Sequence, residues 1–88
     1  MSYKHLDLDE SGILQDVREE YERARTKYPP YSNLHEGYAI ILEELDELWD
    51  EVKIKEELRD PGALYKEALQ VASTALSFCA LLKQKEVA

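Results

Sequence analysis

Residues 34–57, LHEGYAIILEELDELWDEVKIKEE, combine an apolar stripe with a dense acidic face, and this stretch decides the fold. Its apolar residues recur at steps of three and four, the spacing of one face of an α-helix. They are Leu34, Tyr38, Ile41, Leu45, Leu48 and Val52. Asn33 or Ser32 precedes them as the N-cap, and Glu36 occupies the capping-box position after Asn33. We therefore predict one long helix over this stretch, with its stripe facing a bundle.

Turn residues on either side of this stretch separate two further helices. The Pro-Pro pair within residues 28–31 must end a first helix that starts near Asp9 or Ser11, because proline cannot continue a helix. Downstream, Asp60 is an N-cap candidate and Pro61 takes the first helical position, where its missing N–H costs nothing. This pattern predicts a third helix that runs to about Lys83.

The chain of 88 residues is expected to form a leader, residues 1–10, and one helical domain, residues 11–88. No segment alternates as a β-strand does, so the predicted class is all-α, a helical hairpin plus an N-terminal helix. A chain of this size buries only about 60 to 65% of its unfolded surface. The third helix is apolar on nearly every side between Ala68 and Leu82, which two neighbouring helices cannot cover. We therefore expect a four-helix-bundle-type homo-oligomer, either a dimer or a tetramer.

Charge and composition narrow the range of partners. The chain has 11 Lys and Arg against 19 Asp and Glu, a net charge of −8, which disfavours nucleic acid and anionic membranes. No apolar stretch approaches the roughly 20 residues that span a bilayer, and the first twenty residues are polar and acidic, so neither an anchor nor a signal peptide is expected. Cys79 has no second cysteine to pair with, which fits a reducing compartment. The predicted location is the cytoplasm.

Most of the negative charge lies on the second helix, since residues 36–57 hold nine acidic residues and two lysines. At about 100° per residue, Glu44, Glu47 and Glu51 fall within one sector of roughly 60°. Like charges three and four positions apart repel each other on a helix. The sector is therefore either a solvated acidic face or a site at which a cation offsets the repulsion.

The third helix supplies a carboxylate in an apolar setting. Glu67 shares a stripe with Val71, Thr74 and Phe78, where a carboxylate is costly unless it is paired or bound to a metal. Alternatively, Glu67 is a first-turn acid that favours the helix dipole and reaches water. Gln70, one turn later, is either a boundary residue or part of the same site. Two antiparallel helices that each present acids one turn apart would suit the oxygen ligands that Mg²⁺ prefers.

The acidic residues also follow a recognisable motif. Glu43-Glu44-Leu45-Asp46-Glu47 and, after 19 residues, Glu67-Ala68-Leu69-Gln70 resemble the E-E-x-x-E … E-x-x-D motif of the MazG-like all-α nucleoside triphosphate pyrophosphohydrolases. The resemblance covers about residues 33–82. It implies helical subunits that pair into four-helix bundles and use Mg²⁺ to hydrolyse nucleoside triphosphates to the monophosphate and pyrophosphate.

The resemblance also implies a role for each matching residue. Glu44, Glu47 and Glu67 would be Mg²⁺ ligands, with Mn²⁺ as a substitute ion, and either Glu43 or Glu47 would orient or deprotonate the attacking water. The family's fourth ligand is Asp, whereas this chain has Gln70, whose amide oxygen can coordinate Mg²⁺ but carries no charge. The expected function is a Mg²⁺-dependent pyrophosphohydrolase. The alternatives are a catalytically silent relative that binds nucleotide or metal, and a helical oligomerisation module.

Several other side chains have two interpretations each. Trp49 and Tyr38 are predicted to be core residues rather than platforms for stacking a base. Tyr28 and Tyr31 either cover a nucleobase or pack on helix ends. Cys79 is predicted to be a buried structural thiol. The basic residues near the second turn either assist phosphate binding or form a solvated face; they are Lys53, Lys55, Arg59 and Lys66.

Overall fold

The computed structural model describes residues 3–84, which form three α-helices and one short 3₁₀ turn. The helices are α1 (Ile13–Lys27), α2 (Leu34–Val52) and α3 (Pro61–Leu82), and the 3₁₀ turn is Glu56–Leu58. No strand occurs among the described residues, which confirms the all-α class. Residues 1–2 and 85–88, the outer ends of the predicted leader and of the predicted domain, lie outside this range.

α3 lies between the other two helices. It packs against both of them, whereas α1 and α2 are not neighbours within residues 3–84. α2 and α3 are antiparallel, since Gly37 near the start of α2 meets Phe78 near the end of α3. α1 runs parallel to α3, since Asp16 near its start accepts a hydrogen bond from Tyr65 near the start of α3. The result is an open layer of three helices with α3 in the middle.

Side-chain caps begin both helices of the hairpin, as predicted. The Asn33 side chain accepts a hydrogen bond from the Glu36 N–H at 2.8 Å, and the Glu36 carboxylate accepts from the N–H and hydroxyl of Ser32 at 3.2 and 2.8 Å. Asp60 accepts from the N–H groups of residues 62 and 63 at 2.9 and 3.3 Å, with Pro61 in the first turn. The chain thus uses Asn33 rather than Ser32 as the N-cap of α2.

Two predicted helix boundaries were wrong. α1 starts at Ile13 instead of residues 9–11, because Gly12 takes a φ of 79°, a left-handed conformation that interrupts the helix. α2 ends at Val52 instead of residue 57. Its end is capped by Arg59, whose guanidinium donates to the carbonyl oxygens of Val52 and Ile54 at 2.7 to 3.1 Å. These bonds satisfy carbonyl groups that a continuing helix would otherwise use.

The core of the described chain is thin. Among residues 3–84, only Gly37, Ser73 and Leu81 are buried. Most apolar positions of α3 are half-buried, because α1 and α2 cover two of its sides. Leu76 remains exposed, and so does Cys79, which was predicted to be buried. The prediction that two helices leave part of α3 uncovered therefore agrees with the structure.

The apolar stripe of α2 divides between two directions. Ile41 and Leu48 are half-buried on the side of α3, whereas Tyr38 and Trp49 are exposed, so the prediction that both aromatic residues are core was wrong. The remaining members of the predicted stripe are exposed as well; they are Leu34, Leu45 and Val52. The reason is the helix order, since α1 lies on the far side of α3 and does not reach α2.

The closest approach of α2 to α3 is at Gly37. A Cβ atom at this position would lie 2.8 Å from the Phe78 side chain and 2.9 Å from the Tyr31 side chain. Tyr31 also donates its hydroxyl hydrogen to the Thr74 carbonyl oxygen at 3.4 Å. Of the two roles predicted for Tyr31, the structure therefore shows packing against the helices. Glycine is needed at residue 37 because Phe78 and Tyr31 fill the space that a side chain would occupy.

We predict that Gly37→Ala destabilises the fold. Overpacking costs about 1 to 3 kcal/mol, while alanine returns about 1 kcal/mol of helix propensity, so the free energy of unfolding should fall by about 1 kcal/mol in urea denaturation. Gly62→Ala is the matched control, because a Cβ there would approach only the exposed Asp60 side chain, at 3.3 Å. Equal stability of the two variants would contradict the packing at Gly37.

Candidate metal centre

Three carboxylates meet where α2 packs on α3. Glu44 and Glu47 lie one turn apart on α2, Glu67 lies in the second turn of α3, and one oxygen of each lies within 4.8 Å of the others. Glu44 and Glu67 are half-buried and Glu47 is exposed. We call these three residues the acidic cluster. The antiparallel packing of the hairpin thus brings together three residues that the sequence analysis assigned to one site.

Gln70 lies beside the acidic cluster. With its amide nitrogen turned toward the carboxylates, Nε2 donates to Glu44 Oε2 at 3.1 Å and to Glu67 Oε2 at 3.0 Å. The residue is half-buried and lies one turn beyond Glu67 on the same side of α3. The structure therefore places Gln70, the fourth predicted residue, against the cluster. We call the acidic cluster and Gln70 together the polar seam.

The remaining acids of α2 lie around the cluster. Glu43, predicted as a catalytic residue, is exposed and is not among the three clustered carboxylates, although its charge still raises the pKa of Glu44. Glu51 is half-buried, and its charge raises the pKa of Glu67. The motif assigns no role to Glu51. Its place in the same helical sector as Glu44 and Glu47 was the sequence signal from which its presence beside the cluster could have been predicted.

The clustered carboxylates raise one another's proton affinity. Partial burial, followed by the charge of Glu47 and its hydrogen bond, raises the pKa of Glu44 to about 7, and Glu67 adds to the shift. Burial also raises the pKa of Glu67, with further contributions from the charges of Glu47 and Glu51. Each shift means that the folded chain holds a negative charge at a cost, which a proton or a cation would relieve.

The basic residues near the turn differ in their contacts. Arg59 is engaged with the carbonyl oxygens at the end of α2, so its guanidinium supports the turn. Lys53 Nζ lies 3.0 Å from Asp50 Oδ1 in an exposed ion pair. Lys66 precedes Glu67, and its charge lowers the pKa of Glu67 and so opposes the other shifts. Among the predicted cations, Lys66 therefore acts on the cluster.

A separate groove of about 370 Å³ lies between α1 and α3, away from the acidic cluster. It is lined by Asp16, Glu19, Glu20, Arg23, Tyr65 and Leu69. Its polar groups already have partners, since Tyr65 donates to Asp16 at 2.6 Å and Arg23 pairs with Glu20. The groove holds no convergent set of unpaired donors or acceptors of the kind that marks a ligand site. The acidic cluster is therefore the better candidate for chemistry.

Comparison with known proteins gives no assignment. No family model, no curated protein and no solved structure matches the chain. Within residues 3–84, no helix has both the length and the apolar character needed to cross a membrane. The interpretation of the acidic cluster therefore depends on its geometry and on the spacing of its residues in the sequence.

We predict that the fold loses stability as pH rises from about 5 to about 7. The pKa of Glu44 is about 7 in the folded chain and 4.5 in the reference state, so between these values the folded chain binds more protons than the unfolded chain. The free energy of unfolding then falls as pH rises, and Glu44→Gln should flatten this slope in denaturation curves. Asp46→Asn, an exposed acid on the same helix, is the control; an equal effect of both variants would contradict the origin in Glu44.

Proposed function

We propose that this chain is a Mg²⁺-dependent nucleoside triphosphate pyrophosphohydrolase of the MazG-like type, which releases a nucleoside monophosphate and pyrophosphate. One observation carries the proposal: three of the four acids of the E-E-x-x-E … E-x-x-Q pattern, Glu44, Glu47 and Glu67, converge where the two helices of an antiparallel hairpin meet, with the glutamine against them. The solvated-face alternative predicts no such convergence of half-buried carboxylates from two helices.

The acidic cluster suits Mg²⁺ by its chemistry and nearly by its dimensions. Its donors are three carboxylates and one amide, and Mg²⁺ takes oxygen ligands at about 2.0 to 2.1 Å, so opposite ligands lie about 4.2 Å apart. The three carboxylate oxygens lie within 4.8 Å of one another. Side-chain rotation within the cluster would therefore have to bring the oxygens closer together around the ion. Mn²⁺ prefers similar oxygen ligands and could replace Mg²⁺.

The residues of the seam would divide the work according to their exposure. Glu44 and Glu67, which are half-buried, would hold the ion together with one oxygen of Glu47, and Gln70 would add its amide oxygen. A bound Mg²⁺ would neutralise charge on the phosphate oxygens and lower the pKa of a coordinated water. Glu47 faces solvent within the cluster and would orient or deprotonate that water, while Glu43 lies outside the cluster and is the second candidate for this step.

Gln70 favours one alternative, a catalytically silent relative that binds metal or nucleotide. Its amide donates to Glu44 and Glu67 and so satisfies two carboxylates without an ion. An aspartate at this position could not do so, because an ionised carboxylate only accepts hydrogen bonds. These hydrogen bonds thus offset part of the repulsion between carboxylates that a cation would otherwise relieve. How much of it they offset decides between an enzyme and a silent binder.

The proposal includes partners and location. The substrate class is the nucleoside triphosphates, with the acidic cluster requiring a cation before it admits a polyphosphate. The net charge of −8 argues against nucleic acid and anionic membranes as partners. We place the protein in the cytoplasm. We also propose a homo-oligomer, either a dimer or a tetramer, because the thin core of residues 3–84 leaves extensive apolar surface exposed.

We predict that Mg²⁺ or Mn²⁺ raises the melting temperature of the protein. A ligand at about ten times its Kd adds about 1.4 kcal/mol to the free energy of unfolding. Glu67→Gln should remove most of this gain, and Glu57→Gln, an exposed acid on the 3₁₀ turn, should retain it. A melting temperature that ignores both ions, with and without a nonhydrolysable nucleotide analogue, would contradict the metal site.

We further predict slow pyrophosphate release that depends on Glu47 and increases in Gln70→Asp. Loss of a general base typically costs about a hundredfold or more in rate, so Glu47→Gln should lower turnover by at least that factor. Gln70→Asp should raise turnover or lower the metal concentration required, because it adds a fourth carboxylate to the seam. The measurement is a steady-state assay over Mg²⁺ and Mn²⁺ series with canonical and modified nucleoside triphosphates.

Gln15→Asp on α1 controls for the added charge alone, since Gln15 is exposed and α1 is not a neighbour of α2. If neither the native chain nor Gln70→Asp releases pyrophosphate while both bind metal, the silent binder replaces the enzyme. If neither binds metal, the oligomerisation module remains.

A further inference from the structure

The two helices that form the polar seam hold one Lys or Arg between them. α2 contains neither residue type, and α3 contains Lys66 alone. Lys66 is exposed and immediately precedes Glu67 in the second turn of α3. It also lies four residues before Gln70, and side chains four residues apart are neighbours on a helix surface. Lys66 therefore borders the seam on its α3 side.

The basic residues of the turn between α2 and α3 are placed differently. Arg59 donates to carbonyl oxygens at the end of α2, and Lys53 pairs with Asp50. Lys55 precedes the 3₁₀ turn and belongs to neither helix of the seam. Lys66 forms no ion pair within residues 3–84. Its ammonium group is therefore available to a ligand that occupies the seam.

The charge of Lys66 reaches the seam. It lowers the pKa of Glu67, against the raising effects of burial and of the charges of Glu47 and Glu51. A positive charge this close repels a cation that occupies the seam alone. The same charge attracts the anionic groups of a ligand that the cation also binds. The position of Lys66 thus favours a metal-bound anion over the free ion.

We propose that Lys66 binds phosphate oxygens of a polyphosphate whose other oxygens coordinate the ion in the polar seam. Lysine binds phosphate as a point charge, which requires no fixed planar geometry and suits an exposed side chain. The assignment rests on the proposed function and deepens it by naming the group that is recognised. That group is the polyphosphate chain, which a nucleotide and an inorganic polyphosphate share.

The test measures two affinities by isothermal titration calorimetry, first of Mg²⁺ alone and then of inorganic triphosphate with saturating Mg²⁺. Lys66→Gln should bind Mg²⁺ alone at least as tightly as the native chain, because the variant removes a charge that repels the ion. The same variant should bind inorganic triphosphate about tenfold more weakly, because it loses one charge-assisted contact. Weaker binding of both ligands would overturn the proposal, since damage to the fold then explains the loss.

Two further variants control for charge. Lys66→Arg keeps the positive charge and should retain most of the affinity for inorganic triphosphate. Lys83→Gln removes a charge from the exposed end of α3, about 25 Å further along the helix, and should leave both affinities unchanged. An equal loss of triphosphate affinity in Lys66→Gln and Lys83→Gln would overturn the proposal, because net charge alone would account for it.

A nucleotide distinguishes the two sources of the polyphosphate. The probe is a nucleoside triphosphate analogue with a methylene group between the α- and β-phosphorus atoms, which cannot release pyrophosphate. Lys66→Gln should weaken its binding by the same factor as that of inorganic triphosphate, since Lys66 contacts phosphate oxygens in both. A loss confined to the nucleotide would place Lys66 at the base or sugar and overturn the proposal.

The assignment of Lys66 and the proposed function can fail separately. If the native chain releases pyrophosphate and Lys66→Gln equals it in triphosphate affinity, the assignment fails and the enzyme stands. If Lys66→Gln loses triphosphate affinity but the native chain releases no pyrophosphate, the assignment stands and the silent binder replaces the enzyme. A native chain that binds no triphosphate in the presence of Mg²⁺ would overturn both.

Discussion

The close approach of α2 to α3 is the constraint on which the acidic cluster depends. At Gly37 the missing side chain lets Phe78 and Tyr31 fill the space between the helices, and this contact sets how near the two helices lie. Two turns further along α2, the same packing holds Glu44 against Gln70. The carboxylates repel one another and would not hold this arrangement unaided. Apolar packing at one end of the hairpin therefore maintains a polar site nearer the other.

The polar seam relieves its excess negative charge in more than one way. A proton on Glu44 is favoured up to about neutral pH, since burial and its neighbours raise the pKa of this carboxyl to about 7. The Gln70 amide donates to two of the carboxylates. A cation would act on the same groups, so proton and metal would compete for one site. The state of the seam then depends on pH and on metal concentration together.

The hairpin and most of its site were predictable because their signals are local. Asn33, Asp60 and Pro61 begin helices by contacts within one turn, and helical spacing alone brings Glu44 and Glu47 to one side of α2. The end of α2 was not predictable, because it depends on Arg59, whose guanidinium reaches back seven residues to Val52. The exposure of Trp49 depends on the order of the helices, which periodicity does not specify. The bound metal, the catalysed reaction and the oligomeric assembly are hypotheses drawn from the sequence pattern.

The central place of α3 has a consequence for how substitutions combine. α1 and α2 touch opposite sides of α3 and are not neighbours within residues 3–84, so a helix about 10 Å across separates them. Side chains that far apart with no shared contacts usually change the free energy of unfolding additively. The surface of α1 can therefore vary in evolution with little effect on the seam, and sequence drift in this protein should be tolerated more readily in α1 than along the facing sides of α2 and α3.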